Sequence, residues 1–353
     1  MKKIIKAFSE KNIQVGYLYF YVHFITEVIC FFALKRVVGD SIILWVSPVL
    51  YDLLAFVPQG VIGYFFDKKK LPKPGIIGTL IMILGILNFN LGFIPGTYTS
   101  IAIIAIGNAF MHIAGAEATL RSSNGKMAHA AIFVAGGSFG VITGKILGAT
   151  KLNMYLLIIA ALTMIPFCLL ADTYVDYKKK NVCKNFNYTN TKLSPAILIF
   201  LATFVVAIRG YTGYGIPTSW NKTIIQTVIL FVFMGIGKAL GGILIDTIGM
   251  RKTAIGSVLL AIPFLIIGDR LMVVSLIGVM LFSMTMAVTL GLLVSVLKES
   301  PGLAFGYTTL GLFLGSVPVF FFKITDYTIN SIIICSLSLL CVLALHLIIK
   351  KEN

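Results

Sequence analysis

Charged side chains are scarce in this sequence. Only 12% of its 353 residues are Asp, Glu, Lys or Arg, whereas 58% are hydrophobic. Soluble domains carry roughly twice that share of charge, so the composition excludes an ordinary cytosolic enzyme. Disorder requires low hydropathy with high charge and is excluded as well. The mean hydropathy of +0.97 instead indicates a protein that lies mostly in lipid.

Acidic residues are scarcer than basic ones, since the sequence has 13 Asp and Glu but 29 Lys and Arg. In a soluble protein such a basic excess would indicate nucleic-acid binding. In a membrane protein it first indicates basic loops on the cytoplasmic side of the membrane. We therefore expect no nucleic-acid partner.

Signatures of soluble chemistry are also missing. The five cysteines include no CxxC pair, and an odd number without paired spacing fits neither a disulfide framework nor a zinc site. The sequence has no GxxxxGK[ST] loop, which argues against ATP as an energy source within this chain. No GxSxG or HExxH motif occurs either. We therefore expect no enzymatic activity, no cofactor and no resident metal.

Long apolar runs fill most of the chain. A membrane-spanning helix needs about 20 apolar residues, and hydropathy predicts twelve such spans. They are residues 14–34, 42–66, 74–95, 98–119, 129–149, 152–171, 194–217, 223–245, 253–268, 271–296, 303–322 and 327–349. We predict an all-α polytopic membrane protein made of two pseudo-symmetric six-helix halves. The halves are residues 1–171 and 194–353, and a basic cytoplasmic linker, residues 172–193, joins them.

The basic residues predict an orientation for these spans. With the N-terminus in the cytoplasm, the inside segments hold 20 Lys and Arg and the outside segments hold 6. Such a split follows the positive-inside rule and places both termini in the cytoplasm. The abundance of Ile, Asn and Lys is typical of an AT-rich bacterium. We therefore expect a multi-pass protein of a bacterial inner membrane, acting as a monomer in the lipid bilayer.

An internal repeat relates the two predicted halves. Gly63 and Asp67 end the second span, and Gly242 and Asp246 end the eighth, 179 positions later. Six-span repeats are an architecture of secondary transporters. A glycine at this place lets a neighbouring helix approach closely, and a carboxylate can accept hydrogen bonds from a helix N-terminus. We predict that these contacts lock one conformation and release in another.

The repeated motif, GxxxD followed by basic residues, resembles the cytoplasmic-loop motif of the major facilitator superfamily. The matching residues are Gly63, Asp67 and Lys68 in the first copy and Gly242, Asp246, Gly249, Arg251 and Lys252 in the second. The sequence departs from the motif at Thr247, where the family usually has a basic residue, and at Lys70, which replaces the later glycine. The resemblance implies a transporter for a small solute that works by alternating access without a cofactor.

The predicted fifth span carries a glycine at every fourth position. Gly136, Gly140, Gly144 and Gly148 form a stripe suited to tight helix packing. The stripe resembles the fifth-span motif of superfamily antiporters, although Val141 stands where a proline is expected. Together with the stretch around His112, it also resembles fosmidomycin-resistance efflux proteins. This resemblance favours proton-coupled export of a drug or metabolite.

Ionisable residues within spans are functional candidates because a charge at bilayer depth is costly. Glu27 and Arg209 lie at similar depths in the first and seventh spans, which line the central cavity in the superfamily. His23 lies one turn before Glu27 on the same helix face. We predict that Glu27 couples protons or binds substrate. Arg209 would be its counter-ion or an anion-binding group.

Further candidates lie in neighbouring spans. Asn108 and His112 share one helix face and would reach the cavity, and Lys238 and Asp52 are too deep to be solvated easily. Glu117 and Arg121 are four residues apart and are predicted to pair near the cytoplasmic end. The complete set predicted for substrate or proton coupling is Glu27, His23, Arg209, Asn108, His112, Lys238 and Asp52.

Other functions remain open at this point. A nutrient or anion importer of the same fold would use the same residues. The spacing of His23 and Glu27 also suits metal ligands on a helix, with Asp52 as a third, so a divalent-metal transporter is an alternative. A non-transporting membrane sensor would keep the fold but tolerate the loss of Glu27 and Arg209.

Overall fold

The computed structural model describes residues 12–38, 46–69, 73–92, 94, 96–177, 183–322, 324 and 326–351. These residues form helices, with one isolated bridge between Thr189 and Ile349. The helices are α1 (Gln14–Val38), α2 (Val46–Phe56), α3 (Pro58–Lys69), α4 (Pro74–Leu91), α5 (Thr97–Ser122), α6 (Ala128–Gly148), α7 (Leu156–Asp172), α8 (Pro195–Gly215), α9 (Ile224–Ile248), α10 (Met250–Ile267), α11 (Met272–Ser283), α12 (Thr285–Val296), α13 (Pro301–Phe321) and α14 (Tyr327–Ile348). The predicted all-α polytopic class is confirmed.

Eleven segments in the described part of the chain are long and apolar enough to cross a membrane. The sixth predicted span is the shorter apolar helix α7, which begins at Leu156 rather than at residue 152. The first residues of the second predicted span lie outside the described residues. So do several predicted basic positions, namely Lys2, Lys3, Lys6, Lys11, Lys70, Lys178, Lys179, Lys180 and Lys323.

Two spans consist of two helices each. The second breaks at Val57, where Pro58 offers no backbone N–H and disfavours helical geometry in the residue before it. The tenth breaks at Met284, between α11 and α12. At this break, a Cβ on Gly241 of α9 would lie 2.5 Å from the Met284 carbonyl oxygen, so α9 passes directly over the interruption.

Two long helix pairs join the first six spans (α1–α7) to the last six (α8–α14). Helix α6 lies between α1 and α9, and helix α13 lies between α3 and α8. The glycines of these helices supply the space, because a helix without side chains on one face can approach its neighbour closely. Both pairs meet where α3 and α9 end and where α6 and α13 begin. We call this the terminal end of the bundle, because the described chain also begins and ends there.

The segment that follows α7 lies against both groups of spans at the terminal end. Tyr188 donates its hydroxyl to the Gly125 carbonyl at 3.0 Å, and its backbone N–H donates to Ser295 Oγ at 3.2 Å. Asn190 and Ile348 form a backbone hydrogen bond of 2.8 Å, which continues the isolated bridge to the C-terminal residues. The predicted linker is therefore packed onto the bundle along its second half.

Candidate functional site

A cluster of three ionisable side chains lies inside the first six spans. The Oε1 atom of Glu27 on α1 is 3.6 Å from Nε2 of His23 on the same helix and 3.6 Å from Nε2 of His112 on α5. All three residues are buried, and the two imidazole rings stand edge to face with centroids 4.4 Å apart. The structure therefore brings together three of the residues predicted from the sequence.

Backbone carbonyls determine the tautomers of both histidines. Nδ1 of His23 is 3.0 Å from the Phe133 carbonyl oxygen, and Nδ1 of His112 is 3.1 Å from that of Asn108. Because a carbonyl oxygen can only accept, each Nδ1 must carry hydrogen and donate it. In a neutral imidazole Nε2 is then unprotonated. Two nitrogen lone pairs thus face the Glu27 carboxylate, an arrangement that favours a cation between them.

Asn108 completes the surroundings of the Glu27 carboxylate. Its Nδ2 atom donates to Glu27 Oε1 at 3.2 Å, and also contacts the Tyr51 hydroxyl and, at 3.3 Å, Cys30 Sγ. Tyr51 and Cys30 were not predicted from the sequence. Nothing in the pattern distinguishes them from apolar filling, although Tyr51 does precede the candidate Asp52.

Asp52 points to the other group of spans. Its Oδ2 atom accepts a hydrogen bond of 3.5 Å from Ser316 Oγ on α13. Helix α2 therefore connects Tyr51, which contacts the Asn108 amide, with Asp52, which contacts the last six spans. Both side chains are buried.

Arg209 does not form an ion pair with Glu27. Its Nη1 atom donates to the sulfur of Met286 on α12 at 2.8 Å. Glu27 instead lies toward α5 and α6, where a Cβ on Gly140 would be 2.7 Å from Glu27 Cβ. Because α1 turns this face toward the helices of its own group, the shared depth of the two residues does not bring them into contact.

Lys238 lies on the face of α9 that meets α6. Three residues before it, a Cβ on Gly235 would be 2.6 Å from the Phe139 ring, and four residues after it, a Cβ on Gly242 would be 2.7 Å from the Met127 carbonyl oxygen. Residues at these spacings share one helix face. Lys238 is half-buried and forms no salt bridge with any residue that the structure describes.

Two carboxylates cap helices across the interface at the terminal end. Asp246 on α9 accepts from the backbone N–H groups of Met127 and Ala128 at 2.8 and 2.9 Å, where α6 begins. Asp67 on α3 accepts from Gly302 and Leu303 at 3.2 and 2.9 Å, where α13 begins. The repeat in the sequence thus corresponds to two reciprocal contacts, each between a carboxylate and a helix N-terminus of the other group.

Glycines make these two caps sterically feasible. A Cβ on Gly63 would overlap the backbone of Gly302, and one on Gly242 would overlap Ala131. Gly249 has a φ of 97°, a conformation that side chains rarely adopt, and it turns the chain from α9 into α10.

The basic residues of the motif lie away from the caps. Lys68 lies over the Tyr64 ring, with its Nζ atom 5.6 Å from the ring centroid, and Arg251 Nη2 is 2.8 Å from His346 Nδ1. Lys252 is exposed. The charged partner of Asp67 is instead Arg121, at 3.6 Å, which also pairs with Glu117 as the four-residue spacing predicts.

The glycine stripe of α6 faces the backbone of α1. A Cβ on Gly136, Gly140, Gly144 or Gly148 would press against the carbonyl oxygen of Phe20, Phe24, Val28 or Phe32 respectively. The stripe therefore determines how closely α1 approaches α6. It also determines where His23 and Glu27 stand, because both belong to α1.

The helix caps predict a measurable shift in conformation. The double variant Asp67→Asn, Asp246→Asn loses two charge-assisted contacts, each typically worth about 1.5 kcal/mol or more. We expect the population with a separated terminal end to rise at least about tenfold. Double electron–electron resonance measures the distance across the terminal end, between spin labels at position 69 on α3 and position 299 before α13. The labels are placed on a background without native cysteine. Asp326→Asn is the matched control, because Asp326 caps α14 through Ile329 within the last six spans. An unchanged distance distribution would refute the prediction.

The same cluster is close enough for a metal ion. The ligand atoms of His23, Glu27 and His112 lie within 4.8 Å of one another. The Nδ1 hydrogen bonds to backbone carbonyls are also typical of metal-bound histidines. The geometry of the cluster therefore suits either a proton or a divalent metal ion.

No protein-family model matches the chain. It is 27% identical over 246 residues to the uncharacterised MFS-type transporter YfnC of Bacillus subtilis, covering 61% of this chain and 59% of that protein. It is 26% identical over 243 residues to the fosmidomycin resistance protein of Escherichia coli, covering 62% and 59%. These matches span less than two thirds of either relative.

Two solved structures share the whole fold. The Escherichia coli fucose:proton symporter FucP superposes with a TM-score of 0.63 at 11% identity, covering 96% of this chain and 99% of that chain. The human organic anion transporter MFSD10 superposes with a TM-score of 0.64 at 14% identity, covering 96% and 100%. The resemblance seen in the sequence motifs is therefore confirmed in fold and in sequence.

Proposed function

Because the chain is a multi-pass membrane protein with the fold of the major facilitator superfamily, we propose that it is a secondary active transporter of a small solute. Residues 1–171 and 194–353 would rock about a central site, with residues 172–193 as the linker between them. The observation that carries this proposal is the pair of reciprocal helix caps, Asp67 on α13 and Asp246 on α6.

The caps are suited to a contact that opens and closes. A helix N-terminus carries a partial positive charge of about half a unit, which attracts a carboxylate across a short gap. Each cap joins one group of spans to the other, so both caps must break when the terminal end opens. Their energy is small enough for solute binding to shift the equilibrium. Gly63, Gly242 and Gly249 supply the close approach, and Lys68, Arg251 and Lys252 supply positive charge at this end.

The cluster around Glu27 is the proposed coupling site, and the ion is a proton. Entry of a proton converts one imidazole into an imidazolium that pairs with Glu27, because Nε2 of both His23 and His112 faces the carboxylate. Asn108 orients the carboxylate, and Asp52 extends the network to the last six spans. Arg209 and Lys238 face the solute from α8 and α9.

Export is the favoured direction. A relative is named for fosmidomycin resistance, and the glycine stripe of α6 is of the kind seen in antiporters. The 20-to-6 distribution of basic residues supports an orientation with both termini in the cytoplasm. The protein would then act as a monomer in a bacterial inner membrane, and the terminal end would be its cytoplasmic side. Import of a nutrient or anion by the same fold is the alternative direction.

A growth panel tests the function and its direction. The protein and its Glu27→Gln variant are expressed in an efflux-deficient bacterium and challenged with fosmidomycin, other antibiotics, toxic metabolite analogues, Zn²⁺, Co²⁺ and Ni²⁺. Resistance that requires Glu27 establishes export, and hypersensitivity that requires Glu27 establishes import. An effect confined to the metals would favour the divalent-metal alternative. No effect of a membrane-inserted protein on any compound would count against transport and favour a sensor.

A further inference from the structure

Arg209 carries a guanidinium with buried, unused donors. Its Nε and Nη2 atoms are inaccessible to solvent and have no hydrogen-bond partner among the described residues. The remaining contact, from Nη1 to the Met286 sulfur, is to a weak acceptor. A guanidinium is always charged and has five N–H donors, and a buried charge normally finds a partner because desolvating it is costly. Arg209 can therefore still donate hydrogen bonds to a strong acceptor through Nε and Nη2.

Lys238 is a second cation in the same region. It stands on the α9 face that looks toward the first six spans, and no described residue forms a salt bridge with it. The charges of Arg209 and Glu27 both act on its ammonium group, with opposite sign. Lys238 is thus within electrostatic reach of both Glu27 and Arg209.

The nearby carboxylates are already engaged elsewhere. Glu27 has His23, His112 and Asn108 around it, and Asp52 accepts from Ser316. Neither carboxylate forms a salt bridge with Arg209 or Lys238. Two cations on α8 and α9 therefore lack an anionic partner among the described residues, and Lys238 lies on the α9 face that meets α6 of the first six spans.

We propose that Arg209 and Lys238 bind the anionic group of the solute, and that this solute is a small organic oxyanion such as a carboxylate or a phosphonate. The proposal rests on the transport function proposed above and names the substrate class for the same site. The guanidinium offers a planar fork that matches two oxygens of one oxyanion, while the ammonium supplies a point charge. Met286 holds one arm of the fork, so that Nε and Nη2 present their hydrogens in a defined direction.

A binding measurement on the whole protein in lipid nanodiscs tests this subsite. The probes are benzoate, methylphosphonate and benzamide, which is the neutral counterpart of benzoate, at constant ionic strength in sodium chloride. We expect benzoate or methylphosphonate to raise the unfolding midpoint and benzamide to leave it unchanged. The stronger of the two shifts identifies the oxyanion as carboxylate or phosphonate.

Variants assign the binding to the two cations. Arg209→Gln is expected to weaken the apparent affinity about 10- to 100-fold, since it removes a charge-assisted bidentate contact. Arg209→Lys should recover part of this loss, which a merely unfolded variant would not do. Lys238→Gln should show a smaller loss. The exposed residue Arg270 provides the control Arg270→Gln, which should bind like the unaltered protein.

The outcomes separate this proposal from the transport function. Absence of any shift by both anions would overturn the subsite, as would an Arg209→Gln protein that binds them as tightly as before. If the growth panel shows transport while these anions fail to bind, the subsite is refuted and the transporter stands. If the anions bind through Arg209 and Lys238 but no solute moves, the subsite stands and the transporter is refuted.

Discussion

Glu27→Gln protein in proteoliposomes is expected to lose solute accumulation driven by a pH gradient. One unit of pH difference is worth about 1.4 kcal/mol, so exchange of one proton per solute supports about tenfold accumulation per unit. The glutamine amide cannot carry the negative charge that stabilises an imidazolium at His23 or His112. The variant should therefore show no accumulation at any gradient, while exchange of solute for solute continues. Uptake of a solute found in the growth panel, measured against imposed pH gradients, checks this result.

The solute-exchange activity shows that the variant is folded and inserted. Glu299→Gln is the matched control, because Glu299 is an exposed glutamate outside the spans and should keep full accumulation. Retention of tenfold accumulation per pH unit by Glu27→Gln would mean that the proton travels by another route. The cluster of His23, Glu27 and His112 would then have only a structural role.

Gly136→Val is expected to destabilise the protein by about 3 kcal/mol or more, the upper part of the range for overpacked cores. A Cβ at this position would be 3.1 Å from Phe20 Cα and closer still to the Phe20 carbonyl oxygen, and both are backbone atoms. Backbone cannot rotate aside as a side chain can, so α1 would have to move away from α6. The loss of stability is measured as a lower unfolding midpoint in detergent. Size-exclusion chromatography after heating monitors the unfolding.

A second glycine provides the comparison for this substitution. Gly256 lies inside α10, and a Cβ there would meet nothing within 4 Å. Gly256→Val changes the same residue type in a helix and should leave the midpoint close to that of the unaltered protein. Gly136→Ala adds only the Cβ and should fall between the two. Equal stability of Gly136→Val and Gly256→Val would show that α1 and α6 do not pack as tightly as the structure has them.

The residues of the candidate site show which contacts spacing in the sequence can predict and which it cannot. Glu27 and His23 were predicted together because residues four apart share a helix face, and Asn108 and His112 for the same reason. That the two pairs meet, around one carboxylate, was not deducible, because the contact joins α1 to α5. Sequence spacing orders residues along a helix, whereas the rotation of that helix about its axis depends on what it packs against.

The predicted pair of Glu27 and Arg209 shows the same limit, because here the sequence predicted a contact that the structure does not contain. The residues have matching depths in repeat-related spans, and depth follows from hydropathy. Their side chains nevertheless have different partners, two histidines for Glu27 and the Met286 sulfur for Arg209. The contribution of Tyr51 was likewise invisible, since a tyrosine in an apolar run carries no charge to mark it.

The amino-acid sequence by itself determined that the chain is a helical membrane protein, where most of its spans lie, and that Asp67 and Asp246 occupy equivalent positions. These properties follow from the free energy of transferring each segment into lipid, because each span must be apolar enough for lipid whatever its neighbours are. The tertiary structure alone decided the tautomers of His23 and His112, the break at Met284, and the separate surroundings of Arg209. Those features depend on which backbone atoms of one helix face which side chains of another, and that register is set only when the helices pack.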